Sequence, residues 1–345
     1  MLKQEKLNFA SENYAGVHEK IMTALTAANT GWALSYGNDQ YTQETINLFK
    51  TNFGDNIEVY FTFNGTGANN FGIASVVDRH HCIFCTDVAH LNVDESTAPE
   101  AFTGCRIYPV KSVNGKLVPD DLRSKLKRVN DVHHPQPKIV TLTQPTEYGT
   151  VYTLEELREI KQICTETHML LHVDGARFFN AAVYLNATLK QMSVDAGVDI
   201  LTLGGTKSGL MFGEAVIFFN PASPNAFKFN LKRSMQLASK QRFIAAQFTA
   251  LLSGDLWKEI AAHTNELAAK FINLLPELPG IAISQPVETN AVFFTMPESV
   301  YQKTQEFASF YCWNEIKNEY RLMFSFDSTM EEINEFIGKL SEAVE

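Results

Sequence analysis

Met169-Leu-Leu-His-Val-Asp-Gly-Ala-Arg177 opens as an apolar run and closes on a carboxylate, a glycine and a guanidinium. Residues 169–173 have the length and character of a buried strand, so Asp174 falls at its C-terminal end. A carboxylate there needs a partner, because unpaired burial is costly. Arg177, three residues on, could be that partner, and the two would then form a structural salt bridge. The alternative is functional: Asp174 faces a protonated ring nitrogen, and Arg177 turns its planar fork of donors to a substrate carboxylate.

Outward from this stretch, apolar runs alternate with helical patterns. Residues 58–64, 82–86, 138–142, 199–203 and 215–219 read as strands, and residues 67–77 and 154–168 as helices. Strands alternating with helices of this length imply βαβ units and a largely parallel sheet. The texture changes after about residue 243. A helical pattern over 246–275 is broken by Gly254. A strand (291–295), a helix (300–311), a strand (320–326) and a last helix (330–344) follow. The expectation is a large α/β domain over 1–245, including the N-terminal segment, and a small α+β domain over 246–345.

Composition sets the class. The chain has 345 residues, 45% of them apolar and 20% charged, which excludes wholesale disorder. Acids outnumber bases 39 to 29, for a net charge of −10. That argues against a general nucleic-acid binder but not against a small anion held by local donors. The 5 cysteines are few and scattered, which suits a reducing compartment better than a disulfide framework. The first residues carry no apolar run of the signal-peptide kind, and no stretch is long enough to span a bilayer. The expected location is the cytoplasm, with no membrane and no nucleic acid as partner.

Two further segments carry chemistry. Asn64-Gly-Thr-Gly-Ala-Asn-Asn70 lies between a strand and a helix, where backbone N–H groups, the helix N-terminus and the Thr66 hydroxyl can cradle a phosphate. It can equally be an ordinary strand–helix turn, and it fits neither familiar nucleotide motif. Leu203-Gly-Gly-Thr-Lys-Ser-Gly209 places Lys207 just after an apolar strand. A semi-buried lysine has its pKa lowered and can form a Schiff base; the plainer alternative is a surface lysine in a glycine-rich turn. Together, an anion cradle, a strand-end Asp and a strand-end Lys meet the requirements of pyridoxal 5'-phosphate: phosphate on the helix, ring nitrogen on the carboxylate, aldehyde on the lysine.

This arrangement resembles the fold type I pyridoxal-phosphate enzymes. With Tyr36-Gly37, Ala89-His90, Glu95, residues 144–152 (QPTEYGTVY) and residues 204–209 (GGTKSG), it is similar to the threonine aldolase and β-eliminating lyase family, in particular its low-specificity L-threonine aldolase branch. The resemblance implies a seven-stranded, mainly parallel sheet in the large domain. It makes Lys207 the cofactor-bearing lysine, Asp174 the partner of the ring nitrogen and His90 the ring stacked on the cofactor. Gly65, Thr66 and Gly67 would bind phosphate, Thr206 would line the same site, and Lys232 would reach the phosphate of a neighbouring subunit. Ser11, Arg177 and Arg321 match the positions that hold the amino-acid carboxylate, and Arg177 also borders the cofactor. The implied reaction is retro-aldol cleavage of an L-β-hydroxy-α-amino acid to glycine and an aldehyde, in a homodimer or homotetramer.

The chain departs from the family pattern at two places. Ala10-Ser-Glu-Asn13 stands where many members have Arg-Ser-Asp-Thr, and Glu147 stands near the place of a histidine that handles the substrate hydroxyl. Cys82-x-x-Cys85 with His80 and His81 invites a metal reading, but those residues lie in or beside a strand and no second ligand pair has zinc spacing, so no metal is expected. The rivals are a β-eliminating lyase or racemase using the same cofactor and, from another class, a non-catalytic phosphate-ligand binding module.

Overall fold

The computed structural model describes residues 6–219 and 227–345. Its large sheet has seven strands: β1 (Ile57–Thr62), β2 (His81–Thr86), β3 (Arg106–Val110), β4 (Gln136–Thr143), β5 (Leu170–Gly175), β6 (Ile200–Gly204) and β7 (Glu214–Phe219). Their order is β1-β7-β6-β5-β4-β2-β3. The pairs from β6 through β3 are parallel, and β7 runs antiparallel to both its neighbours. In register, Asp174 lies opposite Thr143 of β4 and Thr202 of β6.

The continuous apolar runs of these strands follow from burial on both faces. Alternate residues feed two core clusters. Leu171, Val173, Leu201, Leu203 and Ile217 enter one, and Ile83, Ile139, Ile200, Val216 and Phe218 the other. Helix α1 (Gly65–Ala74) starts at Asn64, whose side chain accepts from the Gly67 N–H. Helix α2 (Leu154–Glu166) opens on a reciprocal cap between Thr153 and Glu156 and buries Leu157, Ile160, Ile163 and Cys164.

The second sheet comprises β8 (Ala282–Ile283), β9 (Ala291–Thr295), β10 (Tyr311–Asn314) and β11 (Glu319–Met323), all antiparallel, in the order β8-β9-β11-β10. It packs under helix α4 (Met330–Val344) around Phe294, Leu322, Phe324 and Phe336. The long helical pattern is two helices, Arg242–Leu252 and α3 (Leu256–Leu274), with Gly254 at φ +62° between them. Leu256 to Ala261 of α3 belong to the large core, and Leu267 to Phe271 to the small one. The cores therefore meet inside α3, and Phe9 from the N-terminal segment packs with the second core.

One expected element differs. The helix expected over 300–311 ends at Thr304, and Ala308–Ser309 pairs in parallel with Leu7–Asn8 before β10 begins. Backbone pairing with the distant N-terminal segment overrides the local helical pattern. Among the described residues no helix is long and apolar enough to cross a membrane.

Candidate active site

Each parallel strand that borders the centre of the large sheet delivers a polar group just beyond its C-terminal end, the usual place for ligands in an open α/β sheet. β2 is followed by His90, β4 by Glu147 and β6 by Lys207, while β5 carries Asp174 near its own end. β1 is followed by the start of α1. These groups border one cavity of about 990 Å³. Ser11, Gly65, Thr66, His90, Glu147, Asp174, Arg177, Thr206, Lys207 and Arg321 all line it. Of the residues expected at the site, Gly67 and Lys232 do not. Gly67 lies behind the cradle, where a Cβ would meet the Gln236 amide at 2.7 Å. Lys232 Nζ stands 4.8 Å from the centre of the Tyr36 ring.

Asp174 does not pair with Arg177. Its Oδ2 accepts from Asn69 Nδ2 at 2.8 Å and its Oδ1 from the Ala176 N–H at 3.0 Å. Arg177 gives its Nε and Nη2 to the two oxygens of Glu12, at 2.6 and 2.9 Å. Burial alone would raise the Glu12 pKa, but the Arg177 guanidinium overrides it and the carboxyl is held at about 2. The structural salt bridge thus exists with a different acid.

The lysine turn packs with almost no clearance. A Cβ on Gly204 would stand 2.4 Å from the Ala176 carbonyl oxygen, and one on Gly205 2.4 Å from that of Gly213. Only glycine lets this loop lie so close to the residues after Asp174. Lys207 has no ion-pair partner among the described residues. The charge of Arg177, followed by burial, lowers its pKa. Glu214, at the start of β7, accepts from the Gly205 N–H at 2.7 Å and faces the same lysine; burial raises its pKa.

His90 Nδ1 lies 3.0 Å from Glu95 Oε1, and that hydrogen bond, against desolvation, raises the histidine pKa. Glu147 Oε1 accepts from the Thr143 hydroxyl at 2.6 Å and from the His90 N–H at 2.8 Å, while Oε2 is out of solvent with no partner among the described residues. Burial outweighs those two bonds and pushes the carboxyl up to about 7. Arg321 is buried between the Trp313 and Tyr311 rings, 4.9 and 5.3 Å from their centres, and donates to the Ala10 carbonyl at 3.3 Å. No acid pairs with it among the described residues. Burial, then Arg177, lowers its pKa to about 10.

These groups fit pyridoxal phosphate. The carboxylate of Asp174 is fixed by two donors, and the lysine is free to react. The cradle at Gly65 and Thr66 opens on the cavity at a helix start, where the first N–H groups lack intrahelical acceptors. Residue-by-residue reading missed Glu12, Asn69, Glu95 and Glu214 as functional groups. Their partners are distant in sequence: Glu12, Asn69 and Glu95 lie in segments that the sequence singles out, but nothing in those segments shows the pairing, and Glu214 carried no signal.

Comparison with known proteins bears on the family and the fold. The family profile described as β-eliminating lyase matches residues 8–299. A low specificity L-threonine aldolase of Pseudomonas aeruginosa is 40% identical over 84% of this chain and 84% of its own length. One from another Pseudomonas strain is 39% identical over 86% of each. The solved structure of a Leishmania major threonine aldolase superposes with a TM-score of 0.91 at 26% identity, covering 98% of this chain and 100% of that one. The chain therefore belongs to the β-eliminating lyase family, fold type I enzymes that work with pyridoxal phosphate.

Proposed function

We propose that the protein cleaves L-threonine, L-allo-threonine or a related L-β-hydroxy-α-amino acid to glycine and an aldehyde. The observation that carries this reading is the pairing, in one cavity, of a buried guanidinium without an acid (Arg321) and a desolvated carboxyl with a free oxygen (Glu147). The first is a receptor for the amino-acid carboxylate, the second an acceptor for the β-hydroxyl proton. The Pseudomonas relatives bear the name of that activity.

Bound pyridoxal phosphate supplies the electron sink that takes the pair released when Cα–Cβ breaks. The chain's own groups do the rest. With the cofactor bound, Lys207 would hold its aldehyde carbon, Asp174 would keep the ring nitrogen protonated and His90 would lie against the ring. Gly65, Thr66 and the N-terminus of α1 would hold the phosphate, with Gly67 and Thr206 supporting their loops. Arg321 would grip the substrate carboxylate with Ser11 and the N–H groups of Arg177 that Glu12 leaves free, and so would orient the scissile bond. Glu147 Oε2 then takes the β-hydroxyl proton as the carbonyl forms. A carboxyl near 7 is matched to that task at neutral pH.

The reading includes a second copy of the chain. Trp32, Leu34, Tyr36, Phe229 and Met235 are exposed large apolar side chains. They lie on adjoining segments, because the Tyr36 N–H donates to the Ser239 carbonyl and Lys232 covers the Tyr36 ring. This face, beside the phosphate cradle, suits a homodimer or homotetramer in which Tyr36 and Lys232 approach the neighbour's cofactor. Light scattering tests it: an active monomer at assay concentration removes that part. The cytoplasm is the proposed location, in keeping with 5 cysteines that form no disulfide.

The test of the activity is a product assay on the cofactor-loaded protein. Glycine with an equimolar aldehyde supports the aldolase. Pyruvate with ammonia points to β-elimination, and the D-amino acid points to racemisation.

A further inference from the structure

Asn69, in the second turn of α1, donates both hydrogens of one amide to two different carboxylates. Nδ2 lies 3.0 Å from Glu95 Oε1 and 2.8 Å from Asp174 Oδ2. The amide oxygen cannot face either acceptor, so the geometry fixes which end is nitrogen. Asn70 adds a further bond, Nδ2 to Glu95 Oε2 at 2.6 Å, and His90 Nδ1 reaches Glu95 Oε1 at 3.0 Å. Asn69, Asn70, Glu95 and Asp174 are all buried. The Oδ1 atoms of both asparagines are buried without any partner among the described residues. An unsatisfied buried acceptor is a penalty that an apolar side chain of the same size would avoid. The NH₂ ends are therefore what the site retains.

We propose that Asn69 is a positioning residue that ties Asp174 to the Glu95–His90 pair, so that the acid beneath the ring nitrogen and the imidazole above the ring are oriented and charged as one unit. Without the shared amide, two buried carboxylates would face each other with fewer donors between them. The helix whose N-terminus forms the phosphate cradle thereby also sets the two groups that flank the ring. This rests on the roles given above to Asp174 and His90. The test is read from His90 rather than from turnover, so its failure leaves the aldolase reading standing.

The experiment is an NMR titration of His90 in the cofactor-loaded protein, with its signal assigned by its loss in His90→Asn. The groups facing His90 are Glu95, Asp174, Glu147 and Lys207, and Glu147 also accepts the His90 backbone N–H. Glu95→Gln should lower the His90 midpoint, because the carboxylate that favours the imidazolium is gone. Asn69→Ala should raise it, because both carboxylates that face His90 lose a neutralising donor. Cofactor affinity in equilibrium dialysis should fall roughly 10- to 100-fold in Asn69→Ala, as Asp174 loses a charge-assisted bond. An unchanged His90 midpoint with only a lower Tm would reduce Asn69 to packing and overturn the proposal. If Asn69→Ala does not fold, Asn69→Leu, close in volume and without a donor, carries the same test with the same two outcomes.

Discussion

Glu12 and Arg177 meet in a two-pronged ion pair, Oε1 to Nε at 2.6 Å and Oε2 to Nη2 at 2.9 Å, and Asn290 of the small domain donates to the same Oε1 at 2.8 Å. The N-terminal segment, the large domain and the small domain are thus joined at one carboxylate. Folding depresses the Glu12 pKa from 4.5 to about 2. Its stabilisation is therefore fully present above pH 4.5 and is lost as pH falls towards 2. A shift of that size corresponds to about 3 kcal/mol. Acid unfolding followed by circular dichroism should be steep over this range in the native chain and distinctly flatter in Glu12→Gln. Equal slopes would show that the pair contributes nothing to stability.

The same pair separates the two arginines. Arg321→Ala removes a guanidinium that no acid holds among the described residues, so it should mainly raise KM for L-threonine, roughly 10- to 150-fold for a lost bidentate contact of about 1.5–3 kcal/mol. Arg177→Ala should add a loss of stability of about 3–5 kcal/mol, because it leaves Glu12 buried and unpaired. Thermal melts and KM values on both variants check this. An Arg177→Ala protein as stable as the native one would contradict it.

Glu147→Gln should keep the visible colour of the bound cofactor while kcat falls roughly 10²- to 10⁴-fold, the usual range for a general base. A base must be deprotonated to act. The native kcat should therefore decline as pH drops below about 7, where Glu147 titrates. In Glu147→Gln that acid limb should vanish from the pH–rate profile. Persistence of the limb would assign it to another group.

Asp174→Asn is not a silent change of shape. Its new NH₂ must displace one of the donors now facing the carboxylate, either Asn69 Nδ2 or the Ala176 N–H. Turnover should fall by several orders of magnitude, as electrostatic support for the ring nitrogen is lost. Cofactor affinity, measured by dialysis, should fall with it. A variant with near-native kcat would make Asp174 a structural acid.

Much of this site is readable along the chain because its residues follow strand ends. The runs before Asp174 and Lys207 are apolar on both faces, and the glycines around Lys207 mark the turn. What sequence hid is pairing across distance. Arg177 looks three residues back to Asp174, yet its partner is Glu12, brought near when Leu7–Asn8 pairs with Ala308–Ser309. Glu214 falls just before the apolar run 215–219, and only the antiparallel register opposite Gly204 turns it towards Lys207. The half-exposed strand Arg106–Val110 carries too little apolar pattern to announce itself at the sheet edge.

The central claim is carbon–carbon bond cleavage supported on Lys207, and one experiment addresses it directly. Cofactor-loaded protein is incubated with L-threonine, and glycine and acetaldehyde are quantified together in the native chain and in Lys207→Ala. The account predicts equimolar glycine and acetaldehyde from the native chain and none from the variant. Cleavage by Lys207→Ala at a native rate, or threonine consumed by the native chain without glycine, would contradict it.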